Sequence, residues 1–437
     1  MDNTNDEKMK VVLVGVNVNN DPEFESGLAE LVSLAKACNY EVIDIEKQNV
    51  AEVNTGVYVG SGKVDEIKAV VHMLGADAVI FDNTLSPMQI RNLKDIIERP
   101  VFDRTHLILQ IFSSRAQTRE AQIQVQTARL QYELPRLTGM GEFLSRQGGN
   151  GGGGGLANKG AGEKKLELDR RRIRHRISEL KKELKEIEGN RETQRKRRVS
   201  KGIPQVALVG YTNAGKSSLM NALIDKYEPD REKAEARKVK AKDMLFATLD
   251  TTVRKISMPD HKEFLLSDTV GFINKLPHNL VQAFHSTLEE VKYADLLIQV
   301  IDYSNPRYKE HMEVTLKTLT ELGAEKIPML YVFNKCDLPD GEEDKELPEI
   351  PMVKGDSIYL SVKEGVGLDE LVEMIRSKIY HDYVECTMLI PYTEGALISY
   401  FNENASIEET EYLAEGTKIK MNCLLKDVQK YKSYVVI

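Results

Sequence analysis

Gly210-Tyr211-Thr212-Asn213-Ala214-Gly215-Lys216-Ser217 has the pattern GxxxxGK[ST]. An apolar run, Val206–Val209, precedes it, and a helix-like run, Ser218–Leu223, follows. In that setting the glycines let backbone N–H groups turn inward around phosphates, at a helix N-terminus whose dipole favours anions. Lys216 then reaches the terminal phosphates, the Ser217 hydroxyl is a Mg²⁺ ligand, and Ser218 continues the phosphate-facing turn. Three further segments stand behind this one in order. Asp268-Thr269-Val270-Gly271 follows Phe264–Ser267; Asp268 can hold a Mg²⁺-bound water, and the Gly271 N–H can bond a γ-phosphate. Asn334-Lys335-Cys336-Asp337 follows Met329–Phe333. A carboxylate at Asp337 accepts from guanine N1–H and the 2-amino group, which adenine lacks, so this loop selects GTP over ATP. Ser361-Val362-Lys363 follows Ile358–Leu360 and fits a loop closing over the guanine O6.

Between the first two motifs lies Phe246-Ala247-Thr248-Leu249-Asp250-Thr251-Thr252. Its residues Phe246, Ala247, Thr248, Leu249 and Asp250 are expected to border the nucleotide. One threonine hydroxyl should close the Mg²⁺ shell when the γ-phosphate is present. Thr248 is the choice, with Thr251 and Thr252 as alternatives. Phe272-Ile273 stands where many GTPases place a water-orienting glutamine. Neither side chain can orient water, so unassisted hydrolysis should be slow and a partner should accelerate it. Asn274 and His278 are the nearest polar candidates for a supporting role.

Charge is unevenly distributed. The chain has 437 residues, 60 Lys+Arg and 68 Asp+Glu, a net charge of −8. Residues 164–201 alone hold 16 basic and seven acidic side chains, so this segment is +9 and the rest −17. Arg170-Arg171-Arg172 with Arg174, and Arg195-Lys196-Arg197-Arg198, are too one-signed for simple ion pairing along a helix. A polyanionic partner, nucleic acid first, is expected; a solvated helix carrying Glu–Lys pairs is the alternative.

The elements that position these groups read as an α/β protein of about three or four parts. Over the first 110 residues strand-like runs (Val11–Val14, Glu41–Asp44, Ala78–Phe81, Val101-Phe102) alternate with helical ones (Glu25–Cys38, Val64–Leu74, Pro87–Glu98), which predicts a parallel sheet flanked by helices. Residues 115–134 carry a helical face of Ala121, Val125, Ala128 and Tyr132. Ile173, Ile177, Leu180, Leu184 and Ile187 form a coiled-coil seam. Nine glycines among residues 148–162 should prevent regular structure there. The expected domains are therefore 1–112, an N-terminal α/β domain; 113–199, a helical hairpin with a glycine tip; 200–380, a P-loop G domain with a parallel sheet; and 381–437, a small α+β domain. The tip glycines, Gly151 and Gly153 among them, and Lys159 could approach RNA closely. Tyr58–Lys63 is a candidate anion nest or a plain tight turn. No apolar run is long enough to span a bilayer and the N-terminus is not a signal peptide, so a cytoplasmic location is expected. The four cysteines lie far apart in sequence, which points to neither disulfides nor zinc.

Together these segments resemble the HflX family of translational GTPases. The nucleotide motifs are similar to that family's, as are Asn17–Asp21, Tyr58–Lys63, Phe102-Asp103-Arg104-Thr105, Leu134–Gly139 and Glu163–Arg176. The resemblance covers roughly residues 10–380. It implies a Mg²⁺-dependent, monomeric GTPase that binds rRNA of the large ribosomal subunit and splits stalled ribosomes under stress. It also makes Tyr58–Lys63 a candidate ATP or RNA contact. Two other functions compete: a regulatory switch whose basic helices dock a protein or membrane surface, and an RNA remodeller driven by the N-terminal domain.

Overall fold

The computed structural model describes residues 8–147, 155–199, 203–228, 251–258, 262–274, 290–338, 348–380 and 383–436, with Glu235, Lys238, Phe246 and Leu249. The chain divides into two compact units. The first comprises Met1–Glu188 with the short pieces Met244–Asp250 and Asn274–His285; the second holds the remainder.

In the first unit β1 (Lys10–Val18) lies inside a four-stranded parallel sheet. Its neighbours are β2 (Glu41–Val50), β3 (Ala78–Phe81) and β4 (Val101–Asp103), in the order β2-β1-β3-β4. Val11 to Val16 are buried on both faces, as a continuous apolar run between two helical layers requires. Val12, Val14, Val79 and Phe81 pack with α2 (Ser61–Leu74) and α3 (Pro87–Ile97) through Ile67, Val71, Leu93 and Ile97. The helix α1 (Phe24–Ala37) buries Leu28, Leu31 and Leu34. The helix α4 (Arg104–Arg115) had no counterpart in the sequence reading; Arg104 and Thr105 are buried, which spoils its amphipathic pattern.

The hairpin consists of α5 (Arg119–Gln147) and α6 (Gly155–Val199). Ala121, Ile123, Val125 and Ala128 of α5 are buried, as is Leu180 of α6, while Ile173, Ile177, Leu184 and Ile187 are half-buried. Arg119 bonds Glu183 across the pair at 2.8 Å. The expectation of irregular structure across 148–162 fails for residues 155–162, which open α6. Leu156, Ala157, Lys159 and Ala161 favour helix there. Three interspersed glycines cost about 1 kcal/mol each, too little to stop a helix that propagates through some 40 further residues. The remaining tip residues lie outside the described set, Gly151 and Gly153 included.

The second unit holds a seven-stranded sheet, β10-β11-β9-β8-β5-β7-β6. Its strands are β5 (Gln205–Val209), β6 (Thr252–Ser257), β7 (Glu263–Asp268), β8 (Leu296–Asp302), β9 (Met329–Asn334), β10 (Met352–Lys354) and β11 (Ser357–Tyr359). Only the edge strands β6 and β10 run antiparallel to their neighbours. Alternation sends Val206 and Leu208 toward α7 (Lys216–Tyr227) and α9 (Leu368–Ile379), and Ala207 and Val209 toward Leu319 and Leu322 of α8 (Tyr308–Leu322). A second, antiparallel sheet of order β13-β14-β12-β15 follows, formed by β12 (Tyr383–Ile390), β13 (Ser406–Leu413), β14 (Gly416–Leu424) and β15 (Val435–Val436). It packs with α10 (Gly395–Asn404) and α11 (Leu425–Lys430). Cys386 and Cys423, distant in sequence, come to 3.3 Å between sulfurs as free thiols on β12 and β14. Among the described residues no helix is long and apolar enough to cross a membrane.

Candidate functional site

The four nucleotide motifs follow the carboxyl ends of the parallel strands β5, β7, β9 and β11 of one sheet, where an open α/β sheet forms its ligand crevice. Strand β5 runs into the loop Gly210–Gly215, and α7 starts at Lys216. Two glycines are compelled. Gly210 has φ 144°, and a Cβ there would stand 2.3 Å from the Val300 carbonyl oxygen. Gly215 has φ 100°, and its Cβ would stand 2.3 Å from Asn334 Nδ2. Lys216 folds back over the loop and donates to the carbonyls of Gly210 (2.9 Å) and Tyr211 (2.7 Å). Burial lowers its pKa to about 8, with the Asp268 carboxylate acting in the opposite direction. Ser217 Oγ donates to Asp268 Oδ2 at 2.6 Å. This hydroxyl–carboxylate pair is an all-oxygen donor set at the phosphate end, and it fits a hard divalent cation.

The loop after β7 is zipped to the phosphate loop. Thr212 N donates to Phe272 O (2.8 Å) and Phe272 N to Gly210 O (3.1 Å). Thr269 Oγ1 donates to Leu208 O at 2.6 Å. A Cβ on Gly271 would lie 2.9 Å from Thr212 Cα and 3.1 Å from Lys216 Nζ, so only glycine brings that N–H so near the phosphate end. Val270, Phe272 and Ile273 are buried. Phe272 packs with Val291 and Ala294, so it presents no polar group to water.

At the other end Asn334 joins three loops. Its Nδ2 donates to Ala214 O (3.0 Å) and its Oδ1 accepts from Val362 N (3.1 Å). Lys335, with φ 64°, donates to Asp302 at 2.7 Å. Asp337 Oδ1 accepts from Ser361 Oγ at 2.6 Å, which aims the carboxylate and leaves further lone pairs for a ligand. A cavity of about 620 Å³, sized for a nucleoside, is lined by Asn213, Gly215, Ser218, Asn334, Lys335 and Asp337.

Not every candidate faces this cavity. Cys336 turns into the core, bonds Phe333 O at 3.2 Å, and has its thiol pushed up to about 12 by burial. Val362 and Lys363 do line the cavity; Val362 offers its backbone and buries its side chain, and Lys363 is exposed beside Glu364. Ala247, Thr248, Asp250 and His278 lie outside the described residues. Phe246 and Leu249 are buried, and Phe246 sits edge-on to Phe112 with centroids 4.7 Å apart, inside the first unit. Thr252 is committed to β6, opposite Asp268. Asn221, Asp225 and Lys238 also line the cavity; the helical spacing of Asn221 and Asp225 from Ser218 could have signalled the first two. Tyr211 stacks on His311 with centroids 3.8 Å apart, and burial lowers the His311 pKa to about 4. That pairing spans 100 residues and carried no sequence signal.

On α6 Arg171, Arg172 and Arg174 are exposed and Arg170 is half-buried; the nearest acids to Arg170, Arg172 and Arg174 stand 3.5–3.9 Å away on the same helix. Lys159 lies in the first turns of α6, where side chains are not described. At Tyr58–Lys63 the Lys63 ammonium is taken by Glu46 (2.5 Å) and Glu66 (2.9 Å), and Gly60 N bonds the Gln48 side chain at 3.0 Å.

Comparison with known proteins bears on the whole chain. Residues 25–113 match the family model described as GTP-binding GTPase N-terminal, residues 115–198 the GTP-binding GTPase Middle Region, and residues 205–335 the 50S ribosome-binding GTPase. A curated protein of Caldanaerobacter subterraneus subsp. tengcongensis, named GTPase HflX, is 41% identical over 98% of this chain and 94% of its own. The Escherichia coli K12 protein of the same name is 38% identical over 94% of this chain and 92% of its own.

Proposed function

Because the chain belongs to the HflX family and is a GTP-hydrolysing enzyme, we propose that it is a ribosome-binding factor that associates with the large subunit and splits or rescues stalled ribosomes under stress. The observation that carries this reading is the row of exposed arginines on α6, Arg171, Arg172 and Arg174, beside a segment matched to a 50S ribosome-binding family. Exposed guanidinium groups whose acids stand no nearer than 3.5 Å suit the phosphates and shape of folded RNA. Labour is then divided over 1–112, 113–199, 200–380 and 381–437, with Arg170–Arg174, Lys159 and the tip glycines toward RNA. The protein acts as a cytoplasmic monomer. An ATP site at Tyr58–Lys63 is not part of this reading, since Lys63 is already matched by two carboxylates.

In the nucleotide site Lys216 and the Gly271 N–H hold the γ-phosphoryl group and stabilise its charge during transfer to water. Ser217, and Asp268 through a water, would hold the Mg²⁺ that accompanies GTP; when bound, that ion neutralises the β- and γ-oxygens. A threonine of residues 248–252 completes that set. Asp337 reads guanine, Asn334 fixes the loops around the base, and Ser361 aims Asp337. With Phe272 and Ile273 buried, water is left to a partner to order. Co-sedimentation of the full chain with purified large subunits is expected in a non-hydrolysable GTP analogue and not in GDP, with hydrolysis raised many-fold by those subunits. Equal sedimentation in both nucleotides with no stimulation would sink the ribosome reading and leave the GTPase intact.

A further inference from the structure

Thr212, the third residue of the phosphate loop, is 93% buried, since its relative exposure is 7%. Its Oγ1 is sealed from solvent and has no hydrogen-bond partner among the described residues. The backbone beside it is fully engaged, because Thr212 N donates to Phe272 O at 2.8 Å. An orphan hydroxyl in a protein interior costs stability, and a folded chain rarely keeps one without a use. The surroundings narrow that use. A Cβ on Gly271 would meet Thr212 Cα and Cγ2 at 2.9 Å and Lys216 Nζ at 3.1 Å, so the Thr212 side chain, which carries the hydroxyl, stands beside the glycine backbone and the lysine ammonium. The latter two are the groups assigned above to the γ-phosphoryl group. The residues that follow Gly271, Phe272 and Ile273, bring no polar side chain to that point.

We propose that Thr212 is a further substrate-contacting residue of this GTPase: its hydroxyl donates a hydrogen bond to the γ-phosphoryl group of bound GTP. The bond strengthens as charge builds on the transferring group, so it contributes to the rate as well as to discrimination against GDP, which has no γ-phosphate. The ligand-free protein carries the hydroxyl unsatisfied, and the substrate satisfies it. This inference rests on the nucleotide-site reading above.

Thr212→Val keeps the shape and removes the hydroxyl, whereas Thr212→Ser keeps the hydroxyl. The full chain is tested for single-turnover GTP hydrolysis, for affinity toward GDP and a non-hydrolysable GTP analogue, and for melting without nucleotide. For Thr212→Val we expect hydrolysis about tenfold to a hundredfold slower, in line with one hydrogen bond to a charged group. Analogue binding should weaken, GDP binding should stay within about twofold of the parent, and the nucleotide-free protein should melt higher. Thr212→Ser should return most of the rate. Parental hydrolysis in Thr212→Val would overturn the proposal. So would equal losses in both variants, or a loss of GDP affinity as large as that for the analogue, since either points to loop packing. Lys216→Ala serves as the separate control: unchanged hydrolysis there would remove the nucleotide site itself, whatever the threonine variants did.

Discussion

Arg104 and Lys216 are both buried cations, 2% and 6% exposed, and their surroundings differ in kind. Arg104 in the first unit bonds Asp82 at 2.7 Å, pairs with Glu30, and donates to the carbonyls of Gly27 and Asn274. Beside it Asp103 accepts from Leu85 N, His106 N, Tyr132 Oη and Arg136. Lys216 in the second unit bonds two backbone carbonyls and touches no carboxylate among the described residues. Among the described residues Asp337, the counterpart of Asp103, accepts from a single hydroxyl. In the first cluster each cation has a carboxylate partner, and the set fastens α4 and α5 to the sheet. In the second, Lys216 has backbone carbonyls and no such counter-charge within ion-pair distance among the described residues. A buried charge with its counter-charges present holds a fold together; one without them is a vacancy for a ligand.

Substitutions separate the two kinds of cluster. Lys216→Ala should lower kcat/KM for GTP by on the order of a thousandfold or more, with a melting temperature equal to or above the parent's. Arg104→Met should do the reverse: about 3–5 kcal/mol lost in urea unfolding, because Asp82 and Glu30 stay buried without their cation, with GTP affinity little changed. A stable Arg104→Met protein, or a Lys216→Ala protein that unfolds early, would break the comparison.

Proton linkage sharpens it further. The Lys216 pKa falls from 10.5 in the unfolded chain to about 8 in the nucleotide-free fold, mainly through burial. Between those values the unfolded state binds more protons, so nucleotide-free stability should gain from this group as pH rises from about 8 to 10.5. Phosphate bound at Lys216 restores its charge, and the gain should vanish with GTP present. Urea midpoints across that range, with and without GTP and with Lys216→Met as the reference, measure the effect. At the base end, Asp337→Asn should weaken GTP about a hundredfold and favour xanthosine triphosphate, in nucleotide competition, since a designed acceptor becomes a donor. The smallest effect is expected on α6, whose arginines are exposed or half-buried and meet acids only at 3.5–3.9 Å. Arg170, Arg171 and Arg172 changed together to Glu should weaken large-subunit association about tenfold at moderate salt and flatten its salt dependence. Normal association would favour a protein-docking role for the hairpin.

The same contrast explains what could be read from the residues alone. Phosphate and guanine demand particular groups at fixed spacing, so Gly215, Lys216, Asp268 and Asp337 stood out before any fold was known. The Arg104 cluster draws on residues 30, 82, 103, 104, 132, 136 and 274, and no local pattern announces it. The segments around Phe102–Thr105 and Leu134–Gly139 were noticed only as a family resemblance; Asp103, Arg104 and Arg136 give that resemblance a physical content. The helix α4 was missed because its buried Arg104 and Thr105 look polar in sequence. Residues 155–162 read as irregular from their glycines alone, because the helix that carries them continues far beyond that stretch. Thr212 was legible as a motif position, and its orphan hydroxyl was not, since only packing reveals what lacks a partner.

The fastening of α5 at Tyr132 and Arg136 has a mechanical consequence. Beyond Arg136, α5 continues for 11 residues to Gln147, about 16 Å at 1.5 Å per residue. A rod of that length converts angle into travel: a tilt of about 10° at its clamped end would carry the far end about 3 Å, close to one base-stacking step. The clamp is polar and short-ranged, built on Asp103, and Arg104 next to it also holds the carbonyl of Asn274. Small displacements of that single peptide are therefore applied near the pivot of a long arm, where leverage is greatest.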